Sequence, residues 1–214
     1  PIRGADGKLV KVVKFATDVS ANVAMAEAYD EAKRQAHLDA ATSLPNRAKL
    51  SSFLSTHLAN SAGTLALFYV ALDHFGQVNE LHGHRTGDRV LGEVADRLRR
   101  LLREDQMVAR VGGDEFVIAA PGMGADVVER FCQTMMEKIA SPILGGEGEE
   151  VCVGMSIGIA MAPTDGSTAD ELLRAADAAL TVSKKNGGGT RSYFSDELNA
   201  RLHGQRKLIE DMRN

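Results

Sequence analysis

Tryptophan is absent from this 214-residue sequence, cysteine occurs only twice and proline five times. Cys132 and Cys152 sit in apolar-rich segments without metal-ligand spacing, which excludes a disulfide-stapled scaffold and a cysteine zinc site and suits a reducing cytoplasm. No stretch approaches the roughly 18 consecutive apolar residues of a membrane span, and Pro1-Ile2-Arg3-Gly4 lacks the pattern of a signal peptide. Charge of one sign is not in excess either. With 25 basic and 29 acidic side chains the formal charge is −4, which offers phosphate backbones no long-range attraction and disfavours a general nucleic-acid-binding module. A local basic pocket could still hold a nucleotide. What is present is 44% hydrophobic residues, ample for a buried core and incompatible with global disorder. At about 150 residues per domain, the length allows one full domain with ends to spare.

The opening residues read as a hairpin: Pro1-Ile2-Arg3, a turn at Gly4 to Gly7, then strand-like Leu9 to Phe15. One hairpin cannot bury itself, so an edge of an upstream domain is expected, and the segment through Phe15-Ala16-Thr17-Asp18-Val19 resembles the last strand of a PAS sensor domain. Ser20 to His37 has no Gly or Pro and suits a connecting helix capped by Asp18 or Ser20. Its thin apolar stripe at Val23, Ala26 and Tyr29 fits pairing with a twin in a homodimer or a solvated lone helix.

Beyond the Pro45-Asn46 turn, the patterning predicts a helix over Leu50 to Leu58 and a central strand, buried on both faces, over Thr64 to Leu72. Asp73 ends that strand. A helix through Val78-Asn79, a turn from Gly83 to Gly87 and a long amphipathic helix from Asp88 to Leu102 follow, with Val90, Leu91, Val94 and Leu98 on one face. Two strands, Met107 to Val111 and Glu115 to Ala120, flank Gly112-Gly113-Asp114 as a hairpin. A helix from Ala125 to Ile139, a strand from Val151 to Ala160, a helix from Thr168 to Lys185 and a strand near Ser192 to Phe194 complete the pattern. The expected class is α/β (α+β), a central mixed antiparallel sheet covered by helices. The charged segment Asp196 to Arg213 reads as an outgoing helix.

A carboxylate at a turn between two apolar strands is rigidly supported yet open to solvent, so Asp114 and Glu115 are candidate metal ligands. Gly112 and Gly113 would let a ligand approach the backbone and its amides closely. An ordinary hairpin turn is the competing reading. The string Gly112-Gly113-Asp114-Glu115-Phe116, between Ala109-Arg110-Val111 and Val117-Ile118, resembles the signature of GGDEF domains, which are diguanylate cyclases and their inactive relatives. Leu38-Asp39, Leu44-Pro45-Asn46-Arg47, Asp73 with Phe75, Asn79, Gly83-His84, Gly87-Asp88, Ser156 to Ala160, Ala176-Asp177, Ala179-Leu180 and Lys184 keep the family's order and spacing from Leu38 to Phe194. The implied division is a PAS-like remnant over residues 1–19, a linker helix over 20–38, the GGDEF domain over 39–195 and an outgoing helix over 196–214 toward an EAL domain.

The resemblance implies a palm-like nucleotide-cyclase fold in which two facing protomers each hold one GTP and join them as cyclic di-GMP. It also implies two Mg²⁺ or Mn²⁺ ions, which meet the negative charge that develops when a ribose 3′ oxygen attacks an α-phosphorus and pyrophosphate leaves. Their ligands would be Asp114, the Leu72 carbonyl and an aspartate at the tip of the first core strand. That last position falls on Ala71, which has no oxygen to offer a cation that demands oxygen ligands. Asp73, two residues on, is the alternative ligand. Asn79 and Asp88 match the guanine-reading residues, although Asp88 after Gly87 also suits a helix N-cap. Lys184 could touch phosphates or complement a helix dipole. A lysine and an arginine of the family's phosphate grip are Gly76 and Gly188 here. The product-inhibition pair falls on Arg103 and Gln106, glutamine replacing aspartate, so cyclic di-GMP should bind there weakly or not at all; Asp105 is one residue out of register. His74, His82 and His84 form no tetrahedral set. Three readings follow: a GTP-binding regulatory domain with little turnover, an active cyclase, or a dimerisation spacer that binds no nucleotide.

Overall fold

The computed structural model describes residues 2–3, 9–11, 37–60, 63–146 and 148–194. Its contacts group the chain into two units, Pro1–Ala36 and His37–Asn214. In the first, β1 (Ile2–Arg3) and β2 (Leu9–Lys11) pair antiparallel as the expected hairpin. The helices expected over 20–38 and 196–214 lie outside the described residues except at His37 and Leu38, which are not helical; Leu38 bridges Pro45.

The second unit runs α1 (Arg47–Asn60), β3 (Leu65–Asp73), α2 (Phe75–His82), α3 (His84–Arg100), β4 (Met107–Arg110), β5 (Glu115–Pro121), α4 (Ala125–Ala140), β6 (Ile143–Leu144), β7 (Glu150–Val151), β8 (Gly154–Ala162), α5 (Ala169–Lys185) and β9 (Arg191–Tyr193). Five strands form one sheet in the order β4-β5-β3-β8-β9. All neighbours are antiparallel except β8 and β9, which are parallel. The uninterrupted apolar run of β3 makes it the middle strand, since only a strand covered on both faces buries every side chain from Leu65 to Leu72. Ala66, Phe68, Val70 and Leu72 join a core with α2, α3 and α4. Leu65, Leu67, Tyr69 and Ala71 face Leu50 and Leu54 of α1 and Leu172, Leu173 and Leu180 of α5. Full burial of a side chain such as Phe68 contributes roughly 1.5–3 kcal/mol.

Several boundaries move for physical reasons. Helix α1 starts at Arg47 rather than Leu50, because Asn46 caps it, its Oδ1 accepting from the Lys49 amide. Strand β3 continues through Asp73 rather than stopping at Leu72, and its last residue pairs with Gly154. The turn expected over Gly83 to Gly87 shrinks to Gly83, whose φ of 78° needs glycine, and α3 begins at His84. Its first turns pack against the β6–β7 hairpin: Thr86 Oγ1 donates to Glu149 Oε1 at 3.3 Å and Arg89 Nη1 to the Gly145 carbonyl at 2.9 Å. The strand expected over Val151 to Ala160 is two strands, β7 and β8, because β7 turns aside to pair with β6. Thr168 caps α5 through a box with Glu171, whose carboxylate accepts the Thr168 and Ser167 amides. Both cysteines are free, and burial pushes the Cys132 thiol well up. Among the described residues no helix is long and apolar enough to cross a membrane.

Candidate functional site

The β4–β5 turn carries Val111 to Asp114, closed by the Val111 amide donating to the Glu115 carbonyl at 3.0 Å. It is fastened to β3 by the Leu72 amide, which donates to the Asp114 carbonyl at 3.1 Å. Asp114 therefore stands beside the end of the central strand. Two cavities open there, sharing Phe75, Gly76 and Asp114 as a common wall. One, about 360 Å³, adds Asn79, His84 and Asp88. The other, about 410 Å³, adds Leu72, Asp73, Lys184 and Gly188. Together they place the expected base-reading residues on one side of Asp114 and the expected phosphate-side residues on the other.

Asp88 lies in the second turn of α3, so it is not the N-cap the sequence allowed; Gly83 holds that place and no side chain caps the helix. Its carboxylate is exposed and borders the first cavity. Gly87 has a specific job beside it. A Cβ at Gly87 would lie 1.9 Å from Asn79 Oδ1 and 3.3 Å from Phe75 Cζ. Replacing Gly87 with alanine should thus turn the Asn79 amide away, and if the cavity takes the guanine that the resemblance implies, GTP affinity should fall about tenfold, the equivalent of one hydrogen bond. Because the helix accepts alanine, the melting temperature should barely move; GTP titration of G87A with unchanged affinity would remove Asn79 from the base-reading set.

The hairpin is braced from outside by Arg110. Its Nη1 donates to Asp39 Oδ1 at 2.9 Å, while Nε and Nη2 donate to the Gly113 carbonyl at 3.2 and 2.7 Å. Partial burial works to raise the Asp39 carboxyl, but hydrogen bonds from Arg110 and Thr42 outweigh it and hold the group below the ordinary carboxylate range. The turn at residues 39–45 is thereby joined to the glycines of the hairpin.

Ala71 is fully buried and pairs with Glu115 on one side and Ser156 on the other. Asp73 does share its face, but both its oxygens are engaged: Oδ1 accepts from Ser156 Oγ and Oδ2 from the Gly189 amide, each at 2.7 Å. Glu115 Oε2 accepts from the Tyr69 hydroxyl at 3.1 Å. Burial first, then the charge of Glu115, push the Tyr69 phenol up to about 12, so it remains a donor. Among the described residues no three His, Cys, Asp or Glu side chains gather to hold a metal ion. Leu72, Asp73 and Asp114 stand in the cavity wall, and the Asp73 bonds to Ser156 and Gly189 fix its orientation without using up its lone pairs. With a methyl group at Ala71, the set is one carboxylate short of the one the resemblance implies for a pair of divalent cations.

Lys184, in the last turn of α5, reaches the second cavity, so it can meet a phosphate there while also complementing the helix dipole. At the expected product site, Arg103 donates to Asp105 from Nε and Nη2 at 3.1 and 3.2 Å, and its amide bonds Gln106 Oε1. The out-of-register Asp105 thus pairs with the guanidinium that the resemblance assigns to a product phosphate, but both side chains are largely exposed and such a pair is weak. Sequence reasoning missed Tyr69, Ser156 and Gly189 as partners of the carboxylates. Only the Tyr69 hydroxyl, the single polar side chain from Leu65 to Leu72, carried a signal.

Residues 36–190 match the family described as diguanylate cyclase, GGDEF domain. The diguanylate cyclase TpbB of Pseudomonas aeruginosa strain UCBPP-PA14 is 40% identical over 162 residues, 73% of this chain and 37% of TpbB. The cyclic di-GMP phosphodiesterase NbdA of Pseudomonas aeruginosa PAO1 is 32% identical over 189 residues, 87% of this chain and 24% of NbdA. The chain thus spans well under half the length of these relatives. Among solved structures, the coiled coil and GGDEF domain of DgcB from Caulobacter crescentus, in complex with c-di-GMP, superposes with a TM-score of 0.75 at 28% identity, covering 82% of this chain and 95% of that one.

Proposed function

The chain belongs to the diguanylate cyclase GGDEF-domain family of cyclic di-GMP signalling, and from that membership and the divided pocket we propose that it binds GTP while forming little or no cyclic di-GMP. Its role in this reading is to regulate a neighbouring domain of the cytoplasmic parent chain, with a PAS-like sensor upstream and an EAL domain downstream. The observation that carries the proposal is the contrast across Asp114. On one side Asn79, Asp88 and Phe75 line a cavity suited to a purine. On the other, Leu72, Asp73 and Lys184 line the second cavity, and Ala71, the position the family resemblance gives to a metal-binding aspartate, is a buried methyl group outside its lining.

Asp88 can accept from the guanine N1 and N2 hydrogens, a pattern adenine does not present. Such paired hydrogen bonds discriminate by about 1–3 kcal/mol, or roughly ten- to a hundredfold. Calorimetry with Mg²⁺ should therefore show GTP binding and ATP weaker by that factor. No heat with either nucleotide would favour the spacer reading instead. The active-cyclase reading keeps one supporting feature, the intact Asp114 and Glu115 of the hairpin, and is separated by product formation.

A further inference from the structure

Ala71 and Glu115 stand opposite each other in the β3–β5 ladder, so their side chains leave the sheet on one face. Glu115 is therefore the acidic neighbour nearest in register to the vacated ligand position. Its carboxylate is nevertheless turned to other use. Oε2 accepts from the Tyr69 hydroxyl at 3.1 Å, and the same oxygen lies 3.0 Å from where a Cβ on Gly112 would stand. Tyr69 is buried, two residues before Ala71 on the same face of β3. Asp114, by contrast, borders both cavities described above, and Glu115 borders neither.

We infer that Tyr69 is a positioning residue that holds Glu115 away from the phosphate-side cavity, so that poor cation binding has a second cause independent of Ala71. The inference rests on the family reading of Ala71 as a lost ligand position. It concerns the apo chain and does not require that GTP bind. Restoring aspartate at position 71 alone would then supply one carboxylate while leaving Glu115 bonded to the phenol. Removing the hydroxyl as well should let both carboxylates turn to one ion, since phenylalanine keeps the ring that the core packs around.

The test is Mn²⁺ binding to nucleotide-free protein, followed by electron paramagnetic resonance. The expected result is that A71D/Y69F binds Mn²⁺ about tenfold more tightly than A71D, about 1.4 kcal/mol, and that adding E115Q abolishes the gain. Equal or weaker binding by A71D/Y69F would overturn the inference, as would a gain that survives E115Q. Should A71D not fold, the comparison is made between the native chain and Y69F by Mn²⁺ broadening of the Glu115 amide resonance. Selective broadening in Y69F supports the assignment, and identical responses overturn it. GTP titration of the native chain stays a separate readout, so a failure of nucleotide binding is not mistaken for a failure of this one.

Discussion

Incubated with GTP and Mg²⁺, the protein is expected to form cyclic di-GMP about a thousandfold more slowly than a cyclase of its family with aspartate at the Ala71 position. Joining two nucleotides requires charge to be neutralised on both the attacking and the leaving oxygen, a task two cations perform together. Removing a carboxylate that holds them withdraws several kcal/mol of transition-state stabilisation, and about 4 kcal/mol corresponds to three powers of ten. Asp73 borders the same cavity, but turning it to take the missing ligand's place would cost its bonds to Ser156 and Gly189. The two glycines that stand where the resemblance places a lysine and an arginine differ in kind. A Cβ at Gly76 meets nothing within 4 Å, so a lysine could be restored there without steric cost. At Gly188 φ is +72° and a Cβ would lie 3.2 Å from Asp73 Oδ1, so an arginine would be strained and would press on that carboxylate. Chromatography of the reaction checks the prediction: product at a rate matching an intact cyclase would refute it.

Gly158→Ala should be strongly destabilising. Gly158 lies in β8 against α5, where a Cβ would approach the Ala176 carbonyl oxygen to 2.0 Å and the Leu180 nitrogen to 2.2 Å. Both are backbone atoms of a helix whose other contacts hold it to the sheet, so neither can swing aside as a side-chain tip would. Overpacking of this kind costs about 3 kcal/mol and sometimes more, a large share of the 5–15 kcal/mol by which a domain is ordinarily stable. Helix α5 also carries Lys184, so any shift that relieved the clash would disturb the phosphate side of the pocket. Urea unfolding should show the midpoint falling sharply for G158A; an unchanged midpoint would mean that β8 and α5 are less closely packed than the structure has them.

Much of the unit from His37 onward was legible in the residues. The run from Leu65 to Leu72 identified the central strand because only complete burial tolerates eight such side chains in succession. The glycines between β4 and β5 marked the hairpin, and the family resemblance brought Asn79, Asp88 and Asp114 together as a set, all three of which border one cavity. Errors fell where a distant segment decides a local conformation. Gly87 looked like a turn residue, but α3 runs through it, with Thr86 and Arg89 on either side bonded to the β6–β7 hairpin, and Asp88 stands on an exposed face beside the cavity rather than at a cap. The short pairing of β6 with β7 has too few residues to leave a period in the sequence.

Residue order alone determined a mixed sheet under helices and the resemblance to the family, from which the reading of Ala71 as a lost ligand position follows, because burial pattern and residue identity are properties of the chain itself. Which carboxylates remain available is a different matter. Glu115 meets Tyr69 across 46 positions, Asp73 meets Ser156 across 83 and Gly189 across 116. Hydrogen bonds of that range exist only once strands and loops are in register, so only the tertiary structure could decide that the acidic groups beside the empty position already have partners.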